Sequence, residues 1–189
     1  MKRRGYFHKR TEYIDDDSSS LIKLLRLRIP PLIMGLFLGL ILTFVTSNFE
    51  KVLSESIEVA FFIPLLVYLS DAVGTQTQSI YIRDLKSGKA NFKKYMIKEA
   101  IIGVGLAIIF AFFSAIVIML WFKSIELTIA VCLSMIISVA IAPTLALLIT
   151  QIFKLEHEDP ALGSGPIATV IQDAVTILIY GFIASWIML

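Results

Sequence analysis

Five long apolar stretches, separated by short polar segments, dominate this chain of 189 residues. The hydrocarbon core of a bilayer is about 30 Å thick and a helix rises about 1.5 Å per residue, so about 20 apolar residues cross it. The stretches that meet this length are residues 29–49, 59–82, 100–122, 127–153 and 162–189. Strands of a membrane barrel would be shorter and would alternate polar with apolar residues. We therefore predict an all-α, polytopic protein with five transmembrane helices, placed among the lipids of the cell membrane.

The composition excludes several other classes of protein. Charged residues make up 17% of the chain, whereas about 25% is usual in a soluble domain. A net charge of +2 offers no broad basic surface, so we expect no nucleic-acid partner. Cys132 is the only cysteine, which excludes an intrachain disulfide and a cysteine-based metal site. No Ser/His or Cys/His pair, zinc-ligand spacing or phosphate-binding loop is present, and we expect no enzymatic activity.

The basic residues are distributed unevenly about the predicted spans. Of the 17 Lys and Arg residues, all but Lys51 and Lys123 lie in the amino-terminal tail, in the segment 83–98 or at Lys154. These three regions share one side of a five-span chain, and basic residues mark the cytosolic side. We expect the amino terminus in the cytosol and the carboxyl terminus outside.

The predicted boundary between tail and membrane domain lies at residue 29. Residues 1–28 form a predicted cytosolic tail, in which Ser20 and its serine neighbours would cap a short interfacial helix over residues 21–28. A plain basic flank explains the same residues equally well. The membrane domain occupies residues 29–189.

Small residues spaced by four mark expected contacts between spans. Gly35 and Gly39 form such a pair in the first span, and the third span continues the spacing at Gly103, Ala107, Ala111 and Ala115. Small side chains let helix backbones approach closely. Because five spans leave no even two-fold inverted repeat, we expect the symmetry to come from a homodimer.

Two aspartates lie inside predicted spans. A charged aspartate near the middle of a spanning helix costs about 2.5–3.5 kcal/mol on insertion scales, so it needs a partner, a proton or water. The spans that contain Asp71 and Asp173 carry no Lys, Arg or His. Both are therefore candidates to line a wet cavity that receives a cation, the alternative being a hydrogen bond to a neighbouring helix.

The fifth span carries an oxygen-rich stripe. At about 100° per residue, Thr169, Asp173, Thr176 and Tyr180 fall on one face. Hydroxyl, carboxylate and carbonyl oxygens are the ligands of hard divalent cations and their water shells. Before this stripe, Ser164 and Gly165 lie beside Pro166 and permit a close backbone approach with free carbonyls.

The second span has a polar half. Asp71, Thr75 and Gln78 share one face, and residues 74–79, which include Gln76, are polar all round. This part of the helix is predicted to be unwound or to line a pore. Asp71 and Asp173 each lie about eleven residues from the inner end of their span, which places both at a comparable depth. The pattern predicts a cation site between the second and fifth spans.

At this point the residues resemble a known family. The second span and the loop after it carry FFIPLL at 61–66, VGTQ at 73–76 and IRDLKSG at 82–88; the third begins with Lys98, Glu99 and Gly103; the fifth carries DPA at 159–161, SGP at 164–166 and Asp173. This order and spacing are similar to those of MgtE-type magnesium transporters over residues 21–189. The resemblance implies a five-helix protomer, a homodimer with the ion path along its two-fold axis, and Mg2+ as cargo.

The resemblance also assigns roles and shows two departures. The matching aspartate, Asp173, would be the central ion ligand, contributed once by each protomer. Ser70, Asp71 and Ala72 stand where the family usually carries a Gly-Gly-Asn-like run, so an extra acid is present. The large cytosolic domains of many relatives have no counterpart in this sequence, and regulation by such a sensor is not implied.

The leading hypothesis is a homodimeric divalent-cation channel or transporter for Mg2+. Asp173 would hold the hydrated ion, and Thr169 and Thr176 would bind its water shell. The remaining predicted ligands or lining groups are Asp71, Gly165, Thr75, Gln76, Gln78, Ser164 and Tyr180. Two alternatives stay open: a proton- or Na+-coupled cation exporter with Asp71 as coupling group, and a non-transporting membrane scaffold.

Overall fold

The computed structural model describes residues 19–156 and 160–189. Their helices are α1 (Leu21–Ser47), α2 (Glu50–Glu55), α3 (Ile57–Lys86), α4 (Phe92–Trp121), α5 (Ile125–Leu155) and α6 (Pro160–Met188). Five are long and apolar enough to cross a membrane: α1, α3, α4, α5, and α6 from Gly163 onward. The described ranges contain no strand. The predicted all-α fold with five spans is confirmed.

The spanning helices are longer than the apolar segments that predicted them. Helices α3 and α4 contain 30 residues each and α5 contains 31, which makes each about 45 Å long. They therefore extend beyond a hydrocarbon core of about 30 Å into the polar flanks. Side-chain caps begin two of them: Asn91 accepts the Lys94 N–H and Ser124 accepts the Leu127 N–H, both at 3.1 Å.

The first helix differs from the prediction for the tail. Residues 1–18 and 157–159, which include Asp159 of the DPA motif, lie outside the described residues. Residues 21–28 are not a separate helix, because α1 continues without a break through Pro30 and Pro31. The two prolines free the carbonyls one turn earlier, at Arg26 and Leu27, beside charged residues where polar surroundings can solvate them.

Helix α5 is the centre of the packing, with α3, α4 and α6 arranged around it. Its buried face includes Ala130, Val131, Met135, Val139, Ala146 and Leu147. Helix α4 approaches it through the predicted small residues, since a Cβ on Gly103 would lie 2.9 Å from Pro143 Cγ. Ala107 and Ala111 continue this buried stripe. The small-residue prediction for this helix is confirmed.

Helix α1 is peripheral and packs mainly on α6. It has no buried residue, and Gly35 lies against Pro166 and Val170 of α6. Helix α2, which the sequence did not predict, connects α1 to α3 and buries Val52. The outward faces of the helices carry large apolar side chains such as Leu120, Trp121 and Trp186, as expected of surfaces in contact with lipid.

Candidate ion site

The two membrane-embedded aspartates lie on neighbouring helices. Asp71 is on α3 and Asp173 is on α6, and a hydrogen bond between the preceding residues, Gln172 and Ser70, joins the two helices at this level. In each, Oδ1 is buried and has no hydrogen-bond partner among the described residues. Such unpaired polar atoms are rare in protein interiors and call for an explanation. Both acids thus lie on helices that contact each other within a single protomer.

The residues next to the aspartates hold three helices together. Gln172 Nε2 of α6 donates to the Ser70 carbonyl of α3 at 3.1 Å, and Ser70 Oγ donates to the Ser138 carbonyl of α5 at 3.1 Å. The Gln172 carboxamide rests directly on Gly74, where any side chain would occupy the same space. Because Ser70 precedes Asp71 and Gln172 precedes Asp173, these bonds fix the backbone at both acids.

Two hydroxyl groups near this level are also unpaired. Thr176 is 1% exposed and Ser138 is 2% exposed, and neither hydroxyl has a hydrogen-bond partner in the part of the chain that the structure describes. Thr176 lies three residues after Asp173, on the same side of α6. Ser138 was not predicted, because a single serine in an apolar span gives no signal beyond its polarity.

The predicted oxygen-rich stripe of α6 divides between two environments. Thr169 and Asp173 are half-buried, whereas Thr176 and Tyr180 face the interior of the protomer. The Tyr180 hydroxyl donates to the Val59 carbonyl of α3 at 2.9 Å. Tyr180 therefore ties α6 to the start of α3.

The polar half of α3 is helical and divides in a similar way. Gln78 is buried, and its amide donates to Thr150 Oγ1 at 3.2 Å and to Ser164 Oγ at 2.9 Å. Thr75 and Gln76, by contrast, are exposed. They line an open groove of about 490 Å³ between α3 and α4, together with Tyr68, Ser79, Leu106 and Phe110. Gly165 is half-buried, with open space where its Cβ would be.

Further bonds join α3 to its neighbours toward its carboxyl-terminal end. Thr77 Oγ1 donates to Glu99 of α4 at 2.7 Å, and the Tyr81 hydroxyl donates to Gln151 of α5 at 2.7 Å. The Tyr95 hydroxyl of α4 donates to Asp84, which lies one turn after Tyr81 on α3. The sequence did not predict these pairs, since residues far apart along the chain meet only through the helix register. They fix the end of α3 that leads away from the aspartates.

Long apolar helices with polar groups buried between them define a multi-pass membrane protein. A model of the MgtE family, described as a divalent cation transporter, matches residues 63–183, a range that contains both aspartates. The chain belongs to this MgtE family, and the resemblance inferred from its motifs is confirmed. The description of the family is that of a transporter.

Two relatives are magnesium transporters. The chain is 30% identical over 178 residues to magnesium transporter MgtE of Enterococcus faecalis (strain ATCC 700802 / V583), which covers 93% of this chain and 39% of that protein. It is 30% identical over 161 residues to magnesium transporter MgtE of Bacillus subtilis (strain 168), which covers 84% of this chain and 36% of that protein. The chain thus spans less than half the length of either relative.

Proposed function

We propose that this chain moves divalent cations, with Mg2+ as the main cargo, across the cell membrane as a homodimer. The observation that carries the proposal is the Asp173 carboxylate, whose Oδ1 is buried in a spanning helix without a hydrogen-bond partner among the described residues. A carboxylate at such a position is costly and marks ion pathways in membrane proteins. The family match and the names of the two relatives support a divalent cation, and Mg2+ in particular.

The chemistry of the site suits an ion that keeps much of its water. Mg2+ prefers oxygen ligands in octahedral geometry, dehydrates reluctantly and is usually held by one or two carboxylates. In the proposal, Asp173 binds the hydrated ion, Thr169 and Thr176 bind its water shell, and Asp71 adds a second acid. The backbone of Gly165, with open space beside it, offers a carbonyl near one mouth of the path.

A second copy of the chain would complete the site. Thr75, Gln76 and Ser79 are exposed on a spanning helix, where lipid cannot satisfy their polar groups. A glutamine amide both donates and accepts, so it can pair with its own copy across a two-fold axis. Such an axis would bring Asp173 of both protomers toward one ion path, with Thr75 and Gln76 lining its vestibule.

Three residues predicted to line the path instead hold its helices together in this proposal. Gln78, Ser164 and Tyr180 use their polar groups in bonds between helices of one protomer. Gln78 and Ser164 hold α3 against α5 and α6, and Tyr180 holds α6 against the other end of α3. Their removal would shift the lining helices without removing an ion ligand.

The orientation follows from the charges and the odd number of spans. With five spans the two ends of the described helices would lie on opposite sides of the membrane. The basic segment between α3 and α4, at residues 83–98, favours the cytosol for that side and for the amino terminus. The carboxyl-terminal end of α3, with its bonds from Tyr81 and Thr77, would then face the cytosol.

Flux into proteoliposomes tests the central assignment. Asp173→Ala removes the carboxylate that would bind the ion, and we expect Mg2+ flux to fall about 10- to 100-fold, the range set by one interaction with a charged group. Glu126→Gln is the matched control, because Glu126 is an exposed acid in the first turn of α5. This control should conduct like the wild type.

Wild-type flux in Asp173→Ala would contradict the proposal. If Asp173→Ala conducts Mg2+ at the wild-type rate while it is folded and correctly inserted, Asp173 is not the ion ligand. Flux that follows an imposed pH gradient, and loses this dependence in Asp71→Asn, would favour the coupled exporter instead.

A further inference from the structure

All buried side-chain polar atoms that lack a partner in the described residues belong to one set of helices. The atoms are Asp71 Oδ1 of α3, Ser138 Oγ of α5, and Asp173 Oδ1 and Thr176 Oγ1 of α6. Elsewhere in the described interior, buried polar side chains such as Gln78, Thr150 and Tyr180 are bonded. Unpaired buried groups are normally few, and a set of them on three packed helices calls for a bound water or ion that satisfies them.

The contacts between the three helices place these four oxygens in neighbouring turns. Ser70 Oγ donates to the carbonyl of Ser138. Ser70, which precedes Asp71, therefore contacts Ser138, whose own hydroxyl is unpaired. Gln172 Nε2 donates to the Ser70 carbonyl, which brings the residue before Asp173 to the same point. Thr176 follows one turn later on α6 and is 1% exposed, so only the protein interior is open to its hydroxyl.

The ligand set is made only of oxygen. Among the described residues no group of three or more His, Cys, Asp or Glu could hold a metal ion. Two carboxylates and two hydroxyls therefore cannot enclose an ion fully, and water must supply the remaining ligands. Mg2+ and Mn2+ accept such mixed coordination, whereas a softer ion would need nitrogen or sulfur.

Charge balance sets the number of ions. Residues 59–82 and 162–189, which contain Asp71 and Asp173, carry no basic side chain, so no protein cation within these segments balances the two carboxylates. One divalent ion balances one pair. A dimer carries two pairs, and a single ion bound by the two Asp173 side chains would leave both Asp71 charges uncompensated in a medium where that is costly.

We propose that each protomer binds its own divalent cation between Asp71 and Asp173, with Ser138 and Thr176 as hydroxyl ligands of the ion or of its water. The dimer then takes two ions, one per protomer. The inference rests on the proposed function in one respect, the assignment of Asp173 as an ion ligand. It adds Asp71 as a full ligand and Ser138 as a residue of the site.

Equilibrium binding of Mn2+ to the purified full chain in lipid nanodiscs tests the stoichiometry. The wild type should bind one Mn2+ per protomer. Asp71→Asn should bind one Mn2+ per two protomers, because only the two Asp173 carboxylates remain, and Asp71→Glu should restore one per protomer. Size-exclusion chromatography of each variant shows whether it keeps the assembly of the wild type.

Ser138→Ala tests the hydroxyl ligand. Mn2+ should bind about fivefold more weakly with unchanged stoichiometry, the loss expected of one neutral hydrogen bond. Ser134→Ala is the matched control, since Ser134 is equally buried on α5 but donates to the Ala130 carbonyl of its own helix. The control should bind Mn2+ like the wild type.

The outcomes separate the inference from the proposed function. A wild type that binds one Mn2+ per two protomers, and Asp71→Asn that binds the same amount, would overturn the inference and leave Asp173 as the ligand. Undiminished binding in Asp173→Asn would overturn the proposed function itself. A halved stoichiometry in Asp71→Asn together with loss of binding in Asp173→Asn supports both.

Discussion

At the scale of single residues, the contact between Gly74 and Gln172 decides how closely α3 and α6 approach beside the aspartates. The Gln172 carboxamide occupies the space that a side chain at position 74 would need. In this position its Nε2 reaches the Ser70 carbonyl at 3.1 Å. The absence of a Cβ at position 74 is therefore a condition for the bond that sets the distance between Asp71 and Asp173.

Gly74→Ala should weaken ion binding although it touches no ligand. The new Cβ must displace Gln172, which breaks its bond to the Ser70 carbonyl and leaves the buried Gln172 amide without this partner. We expect a loss of about 1–3 kcal/mol in the free energy of unfolding and weaker Mn2+ binding. Thermal unfolding and Mn2+ titration in detergent measure both.

Two further variants make this prediction specific. Gly39→Ala meets no atom within 4 Å and should be neutral or slightly stabilising, since alanine favours a helix. In a Gln172→Ala background the same Gly74→Ala change should cost much less, because the side chain it displaces is gone. Additive effects of the two substitutions would show that they do not act through their contact.

Residues of this site differ in how readily the sequence reveals them. Asp71 and Asp173 stand out because an acid inside an apolar span is rare and costly. Gln172 and Ser138 are neutral and lie in helices whose mutual register no local pattern encodes. Gln78 and Tyr180 were recognised as polar, but their bonds to α5, α6 and α3 depend on that register too.

At the scale of helices, the closest approach of α4 to α5 is at Gly103. A Cβ on Gly103 would lie 2.9 Å from Pro143 Cγ and 3.0 Å from the Ala140 carbonyl oxygen. Neither atom can move easily, because one belongs to a proline ring and the other to the backbone. The crossing therefore has a fixed separation.

Gly103→Val should force the two helices apart. Overpacking of this kind costs about 1–3 kcal/mol, and we expect a lower unfolding temperature in detergent. Gly105→Val is the control, since nothing lies within 4 Å of a Cβ at Gly105 and the residue is exposed. Equal unfolding temperatures for the two variants would contradict the close crossing.

The spans themselves were predictable because the thickness of the bilayer fixes their length. The helix ends were less so: α1 runs through Pro30 and Pro31, where freed carbonyls meet charged neighbours instead of lipid. Helix α2 was missed because six residues carry too little periodicity to indicate a helix. Its stability comes from packing, with Val52 buried against the rest of the protein.

At the scale of the whole molecule, the groove between α3 and α4 is a surface where a single protomer exposes polar side chains to lipid. These two helices contact each other mainly toward the carboxyl-terminal end of α3, and each packs chiefly on α5. The groove exposes Thr75, Gln76 and Ser79 on a spanning segment. Lipid offers their polar groups no hydrogen bonds. A second copy of the chain, related by a two-fold axis, presents the same donors and acceptors and can pair with them.

Disulfide cross-linking in native membranes tests this proposed interface. In a Cys132→Ala background, Gln76→Cys should form a covalent dimer on mild oxidation, because a residue beside a two-fold axis lies near its own copy. Leu148→Cys is the control, an exposed residue of α5 at a similar number of residues from the cytosolic end of its span. Cross-linking through Leu148 but not through Gln76 would place the axis on another face, and Thr75 and Gln76 would then have no part in the ion path.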